Sequence, residues 1–349
     1  MRYVAVKDLV GEEILGQDVL TSDFVMILPS NTVLKPEYIE KLKELEISNV
    51  YIKDKEYDEQ IFVLKFEAEQ YFKGKVKEII EHHTYRHNEE LVQLSEEADN
   101  VISSIIQEED VMDKVYDIRN RSTDIYEHSL NICSLAVLVG LKMGLSKEEI
   151  HDIGVGSLLH DIGLRYLNME YNNQDVAKLS DADLIEYKKH PVYGYAALRE
   201  ENWIGNIAKS IILYHHERLD KTGYPLHASQ ISRPVQIVAV CDTFDELVCG
   251  IGCEKMKVYE AIEYMKIYKN VKFDGDIVDV FLQFVAVYPA GTRVLTNEGE
   301  ICVVLRQNNG FPERPVLRLM EDKTGETITD GTVYDLLKKR HIFIEKAID

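Results

Sequence analysis

The chain has no Cys-x-x-Cys pair, no uncharged apolar run of about 18 residues, and a deficit of basic residues. Each absence excludes something. The five cysteines (Cys133, Cys241, Cys249, Cys253 and Cys302) are odd in number and unpaired in spacing. They read as reduced thiols of a cytoplasmic protein, not as a disulfide frame. Cys249 and Cys253 lie four apart and could share a helix face, but a two-thiol metal site is a poor expectation. Without a long apolar run no membrane span is expected. Acidic residues appear at Glu12 and Glu13, too early for a secretory signal peptide. Lys and Arg number 40 against 61 Asp and Glu, a formal net charge of −21. Such a chain repels the phosphates of DNA and RNA and anionic membranes, so neither is an expected partner. An anionic substrate would need local cations or metals to reverse the field.

What is present is ample for a core: 349 residues, 45% of them hydrophobic, enough for two or three domains. Residues 1–55 read as a small β-rich module with one helix. "YVAV", "EEILGQDVLT", "FVMILPS" and "NVYIKD" look like strands. "KPEYIEKLKELEIS" places Tyr38, Ile39, Leu42 and Leu45 at helical spacing, with Pro36 in the first turn. Residues 56–100 are charged and read as a helical linker, whose His82, His83 and His87 suit a solvated face. Residues 101–286 are helix after helix. There "SKEEIHDIGVGSLLHDIG" opens on a capping box, Ser146 with Glu149, and stops at Gly163. From 287 to 349 the pattern alternates in short runs such as "GTRVLT", "EICVVLRQN", "RPVLRLMED", "GETITD" and "HIFIEKA". Turns fall at Asn297-Glu298-Gly299 and Asn308-Asn309-Gly310, a small β appendage in which His341 is isolated. The expected fold class is mainly α: a helical bundle between a small N-terminal α/β module and a small C-terminal β module.

The chemistry concentrates in the helical region, where Asp124, His128, His160, Asp161, His190, His215, His216 and Asp242 all fall near helix ends. Asp124 and His128 are four apart, which sets both on one helix face. His160 and Asp161 are consecutive, about 100° apart on a regular helix. They reach one metal only if it lies between them, or if the carboxylate bridges two ions. The adjacent His215 and His216 likewise suit two neighbouring ions, or one ion and a substrate. A shell of imidazoles and carboxylates without thiolates suits Mn, Fe, Ni or Zn. Two close ions sharing a carboxylate are a standard device for in-line attack on phosphorus.

These residues carry a resemblance. "LLHDIG" holds an HD dyad, and "HHERLDKTGYP" is similar to the HHExxDGxGYP signature of HD-GYP domains. "EHSLNI", "KKHPVYG" and "CDTFDEL" follow the family's order over roughly 100–286. The resemblance implies an HD-type helical bundle that hydrolyses cyclic di-GMP with two or three divalent ions, iron or manganese before nickel or zinc. It implies metal ligands at His128, His160, Asp161, His190, His215, His216 and Asp242. Asp124 matches an acid that accompanies a third ion in some members. Asp161 would bridge, and His160 and Asp161 would be catalytic. Glu217, Asp220, Gly223, Tyr224 and Pro225 match the signature loop, with Gly223, Tyr224 and Pro225 walling the site. Arg165, Arg218 and Lys221 are the cations expected to meet substrate. A diguanylate cyclase domain and a second copy of the chain are the expected protein partners.

Three departures thin the phosphate clamp. The lysine after HDIG is Leu164, with Arg165 one residue later. The signature glycine is Lys221, which costs roughly 1 kcal/mol if the position needs positive φ. The stretch after Asp242, "LVCGIGCEKMK", lacks arginine and offers Lys255 and Lys257. Arg and Lys are not equivalent toward phosphate, because the bidentate fork is lost. The departures leave room for a weak enzyme that mainly binds its cyclic dinucleotide, and for a hydrolase acting on another nucleotide.

Overall fold

The structure, a computed structural model, describes residues 2–16, 19–20, 26–45, 47, 49–53, 62–83, 89–108, 110–118, 124–169, 175–328 and 331–348. The N-terminal module pairs β1 (Arg2–Ala5) and β2 (Ile14–Leu15) with opposite edges of β5 (Asn49–Lys53), all antiparallel. β3 (Val19–Leu20) and β4 (Met26–Leu28) form a separate ribbon. Helix α1 (Pro36–Glu44) buries Ile39 and Leu42 in a core with Leu15, Leu34, Val50 and Ile52. Leu45, expected on that face, is the helix C-cap and is exposed.

The helical unit spans residues 62–287. It therefore begins well before residue 101, the boundary expected from the sequence. α2 (Phe66–His83) and α3 (Gln93–Ile106) are part of its core rather than a linker. Ala98, Val101 and Ile105 of α3 are fully buried, and His151 of α5 (Lys147–Leu159) bonds Asp99 of α3 at 2.8 Å. The charged faces of both helices mask the apolar stripe that docks them. The side chains of His82 and His83, and His87 altogether, lie outside the described residues.

Two helices run through the middle. α4 (Ile125–Lys142) is buried from His128 to Gly140, and α9 (Arg233–Cys249) is buried along most of its length. Helices apolar on every side belong in a core, not on a surface. α5 crosses α8 (Asn206–Tyr214) closely: a Cβ at Gly156 would sit 2.8 Å from Ile211 Cδ1 and 3.1 Å from Ala208 Cα. α6 (Asp181–Tyr187), α7 (His190–Leu198), α10 (Val258–Tyr268) and α11 (Gly275–Phe284) complete the bundle. Cys249 ends α9, while Cys253 follows a left-handed Gly250, so the two thiols do not share a helix face. No helix among the described residues is long and apolar enough to cross a membrane.

The C-terminal module is one antiparallel sheet, ordered β10-β6-β7-β8-β9. Its strands are β6 (Arg293–Thr296), β7 (Ile301–Arg306), β8 (Val316–Glu321), β9 (Val333–Asp335) and β10 (Ile344–Ile348). Alternate residues Val294, Cys302, Val304, Leu317 and Leu319 face its core. "GETITD" contributes only a bridge at Thr327, and residues 329–330 lie outside the described set. His341 is exposed, and its carbonyl accepts from Asn297 Nδ2.

Candidate metal centre

The local folding of five segments brings seven side chains to one place. α5 starts at the capping box of Ser146 and Glu149 and stops at Leu159. His160 is the C-cap and keeps helical torsions, and Asp161 follows it directly, with its Oδ2 3.4 Å from His160 Nε2. α8 stops at Tyr214 in the same way and releases His215 and His216. His190 and Pro191 form the first turn of α7, His128 lies in the first turns of α4, and Asp242 sits mid-way along α9.

Asp161 is at the centre. Its Oδ2 lies 3.4 Å from His160 Nε2 and 4.0 Å from His128 Nε2, while its Oδ1 lies 3.2 Å from His190 Nε2 and 3.6 Å from His215 Nε2. Asp242 Oδ1 lies 3.3 Å from His128 Nε2 and 3.7 Å from His160 Nε2. Two ligand sets result: His128, His160 and Asp242 on one side, and Asp161, His190, His215 and His216 on the other.

The tautomers follow from what lies behind the rings. The Nδ1–H of His160 donates to Ser157 O at 2.8 Å, that of His190 to Tyr187 O at 2.9 Å, and that of His215 to Ile211 O and Ile212 O at 3.1 Å. His128 Nδ1–H donates to Asp245 Oδ2 at 2.7 Å. Each anchor turns Nε2 forward, the arrangement metal-bound histidines use. Removed from water, the forward atoms have no hydrogen-bond partner at His128 Nε2, His160 Nε2, Asp161 Oδ1 and both Asp242 oxygens. His190 Nε2 faces His215 Nε2 at 3.3 Å, two nitrogens aimed at one point. Buried polar atoms left this way cost stability unless something satisfies them. Divalent cations fit the donor set.

The electrostatics point the same way. Burial opposes ionisation of Asp161, but the imidazoles of His160, His190 and His215 outweigh it and hold the carboxyl well below its usual range. Burial opposes charge on His128, but Asp242 and Asp245 outweigh it and raise the imidazole well above its ordinary value. His216 goes the other way: burial, then His215 and His190, hold it well below.

The signature loop is built around His216. Tyr224 stacks on the His216 ring, with centroids 4.6 Å apart and planes at 29°. The Tyr224–Pro225 peptide is cis. Glu217, 1% exposed, accepts from Leu226 N at 2.6 Å and Ala228 N at 2.9 Å, so its carboxylate pins the returning strand of the loop. Asp220 accepts from the backbone and hydroxyl of Thr222. A Cβ at Gly223 would collide with His216 O and lie 2.5 Å from Arg218 N, which explains the glycine. Lys221 does have positive φ, +64°. Lys221→Gly is therefore expected to stabilise the protein by about 1 kcal/mol in denaturant unfolding, since glycine carries no Cβ penalty there.

Three other expected site residues have further partners in the fold. Asp124 caps α4, accepting from Tyr126 N and Glu127 N at 3.0 Å, and pairs with Lys73 at 3.4 Å; it joins neither ligand set. Arg165 donates to Tyr126 Oη at 2.9 Å. Arg218 donates to His215 O, Glu217 O and, at 2.7 Å, Thr243 Oγ1, and its guanidinium lies over Phe273. It ties the His-His turn to α9. Leu164 is buried at 3% exposure, where a lysine would have needed a partner.

The sequence reading passed over Asp245, Glu246 and Lys188. Asp245 holds His128 in register and takes Asn131 Nδ2 at 3.4 Å on its other oxygen. Glu246 lies one turn beyond Asp242 and forms a further ligand group with His216 and Asp242. Burial and then Asp242 push its carboxyl well above the usual range. Both acids were visible in "CDTFDEL" at spacings of three and four from Asp242. Lys188 puts its ammonium 5.6 Å from the Tyr224 ring centroid. Asp245→Ala is expected to weaken metal binding 10- to 100-fold by titration, the usual cost of losing an outer partner of a ligating histidine.

Fold and site together define a helical protein with a buried centre of five histidines and two aspartates that could hold divalent metal. The chain belongs to the HD domain family, whose model matches residues 87–277, and residues 293–349 match a KOW domain associated with HD domain. A cyclic di-GMP phosphodiesterase of Pseudomonas aeruginosa is 29% identical over 61% of this chain and 52% of its own length. A cyclic di-GMP phosphodiesterase response regulator of Xanthomonas campestris is 32% identical over 43% and 40%. A 3′3′-cGAMP-specific phosphodiesterase of Vibrio cholerae is 28% identical over 39% and 31%. The chain thus spans about half or less of the length of these relatives. A solved HDG"Y"P protein from Bdellovibrio bacteriovorus shares the fold, with a TM-score of 0.52 at 18% identity over 80% of this chain and 97% of that one.

Proposed function

We propose that the protein is a metal-dependent phosphodiesterase that hydrolyses cyclic di-GMP to linear pGpG, and onward to GMP. The observation that carries the reading is Asp161, with one carboxylate oxygen toward His160 and the other toward His190 and His215. Two divalent ions, Fe or Mn before Ni or Zn, would be held by the two ligand sets and shared through Asp161. When bound, such ions lower the pKa of water and neutralise a phosphodiester. Hydrolysis adds water across one P–O3′ bond, leaving a 5′-phosphate and a 3′-hydroxyl. The chain's own part is to orient. Asp245 fixes the His128 ring, backbone carbonyls fix three others, and Glu217 holds Tyr224 as a wall over His216.

A second reading rests on Leu164, Arg165 and Arg218. One is apolar and buried, and the two guanidiniums are engaged within the fold, so the phosphate clamp is thin. A module that binds a cyclic dinucleotide and scarcely cleaves it fits those three positions. The test uses the full chain, stripped and reloaded anaerobically with Fe(II) or Mn(II), and offered cyclic di-GMP, 3′3′-cGAMP and cyclic di-AMP separately. Formation of pGpG from cyclic di-GMP is expected. Cleavage of another dinucleotide with cyclic di-GMP intact would overturn the substrate, and tight binding without product would favour the second reading.

A further inference from the structure

The C-terminal half of α9 carries three carboxylates, Asp242, Asp245 and Glu246, and no basic residue stands in the last turn. A helix C-terminus carries partial negative charge and disfavours acids. Asp245 is answered by His128 and Asn131. The other two are not answered in the same way. Asp242 is 1% exposed and accepts no hydrogen bond at either oxygen. Its Oδ1 faces His128 and His160, while its Oδ2 looks the other way, 3.6 Å from His216 Nδ1. Glu246 completes that second direction: ligand atoms of His216, Asp242 and Glu246 lie within 4.8 Å of one another. Glu246 is half-buried where its two companions are buried, so this group reaches toward solvent at Glu246, as the neighbouring set does at Asp161. Its backbone is held firmly, because its carbonyl accepts from Gly250 N at 2.8 Å and Ile251 N at 3.0 Å. The nearby cation Arg218 is committed to His215 O, Glu217 O and Thr243.

We propose that His216, Asp242 and Glu246 hold an additional divalent cation at the open side of the centre, where it meets the substrate's phosphate. Asp242 would then be shared between two ions as Asp161 is. The proposal rests on the phosphodiester reading for the identity of the anion, but not for the cation. It explains why this chain tolerates Leu164 and an arginine-free loop after Asp242: a metal supplies the positive charge that those side chains do not. It also assigns the third site to α9 and not to Asp124, whose carboxylate caps α4 and pairs with Lys73.

A cation at Glu246 and a carboxyl group without one predict different results. Full-length protein and the variants Glu246→Gln and Asp124→Asn are stripped, reloaded with Mn(II), and counted for metal per chain after desalting. Inorganic phosphate and a phosphorothioate cyclic di-GMP that resists cleavage are then titrated into each. Glu246→Gln keeps the side chain's size, so folding is preserved. It is expected to lose about one equivalent of manganese and to bind both anions at least tenfold more weakly, the scale of one charge-assisted contact. Asp124→Asn keeps its capping oxygen and is expected to retain the full count. An unchanged metal count in Glu246→Gln, above all with tighter anion binding, overturns the site. A lowered count with unchanged phosphate affinity overturns its role on substrate. Loss of metal in Asp124→Asn alone assigns the extra ion to α4 and overturns the proposal. The metal count and the phosphate titration stay readable even if cyclic di-GMP is not the substrate.

Discussion

Asp161→Ala is expected to lower cyclic dinucleotide cleavage by on the order of 10³-fold or more and to remove bound metal from both ligand sets. Outer-shell substitutions around metals typically cost 10- to 100-fold, and this is an inner group facing both sets at once. Its two oxygens face four imidazoles between 3.2 and 4.0 Å away. Deleting the carboxylate leaves His190, His215 and His216 without the acid of their ligand set, and the two main sets lose the anion that lies between them. Metal counting alongside turnover separates this from a purely kinetic defect. Full metal occupancy in the variant, with activity lost, would show that Asp161 does not bridge. Circular dichroism should stay native, because the side chain takes no part in the packing of α5 on α8.

Gly163→Ala is expected to destabilise the helical unit by about 3 kcal/mol, near the top of the usual range for overpacking, or roughly 10 °C in Tm. A Cβ there would overlap the His190 carbonyl oxygen and lie 2.7 Å from Gly194 N. Those contacts are backbone, with no flexible side chain to yield. The short 3₁₀ segment Ile162–Tyr166 would have to lift away from α7. His190 is the first residue of α7, 3.2 Å from Asp161, so lifting α7 opens the Asp161, His190, His215, His216 set first. The variant should therefore lose one ion more readily than the other in a metal titration. Equal loss of both, or an unchanged Tm, would refute the coupling.

Gly163 also shows how a right residue can be read for the wrong reason. As a sequence feature it looked like a helix stop. In the structure α5 has already ended at Leu159, and Gly163 is glycine because another backbone passes against it. Spacing along the chain reports neighbours within a turn and says nothing about a segment arriving from 27 residues further on. Asp124 is the same lesson with the opposite outcome. Its i,i+4 relation to His128 is real, yet the first residue before a helix is also where a carboxylate can satisfy free N–H groups, and Lys73 from α2 pairs with its other oxygen. Spacing marks Arg165 and Arg218 as cations near the site, and only the structure shows Tyr126, Thr243 and backbone carbonyls within their reach. The docking of α2 and α3 was missed because their polar faces dominate a composition count, while a few buried residues decide the packing.

By itself the sequence determined the helical class, the β modules at either end, the capping box of α5 and the types of side chain available as ligands. These depend on periodicity and turn chemistry, which act over a few residues. Only the tertiary structure decided which acids face the centre, which cap helices, and which arginines are already engaged. That choice depends on where helix faces meet, and meeting faces come from residues far apart in the chain.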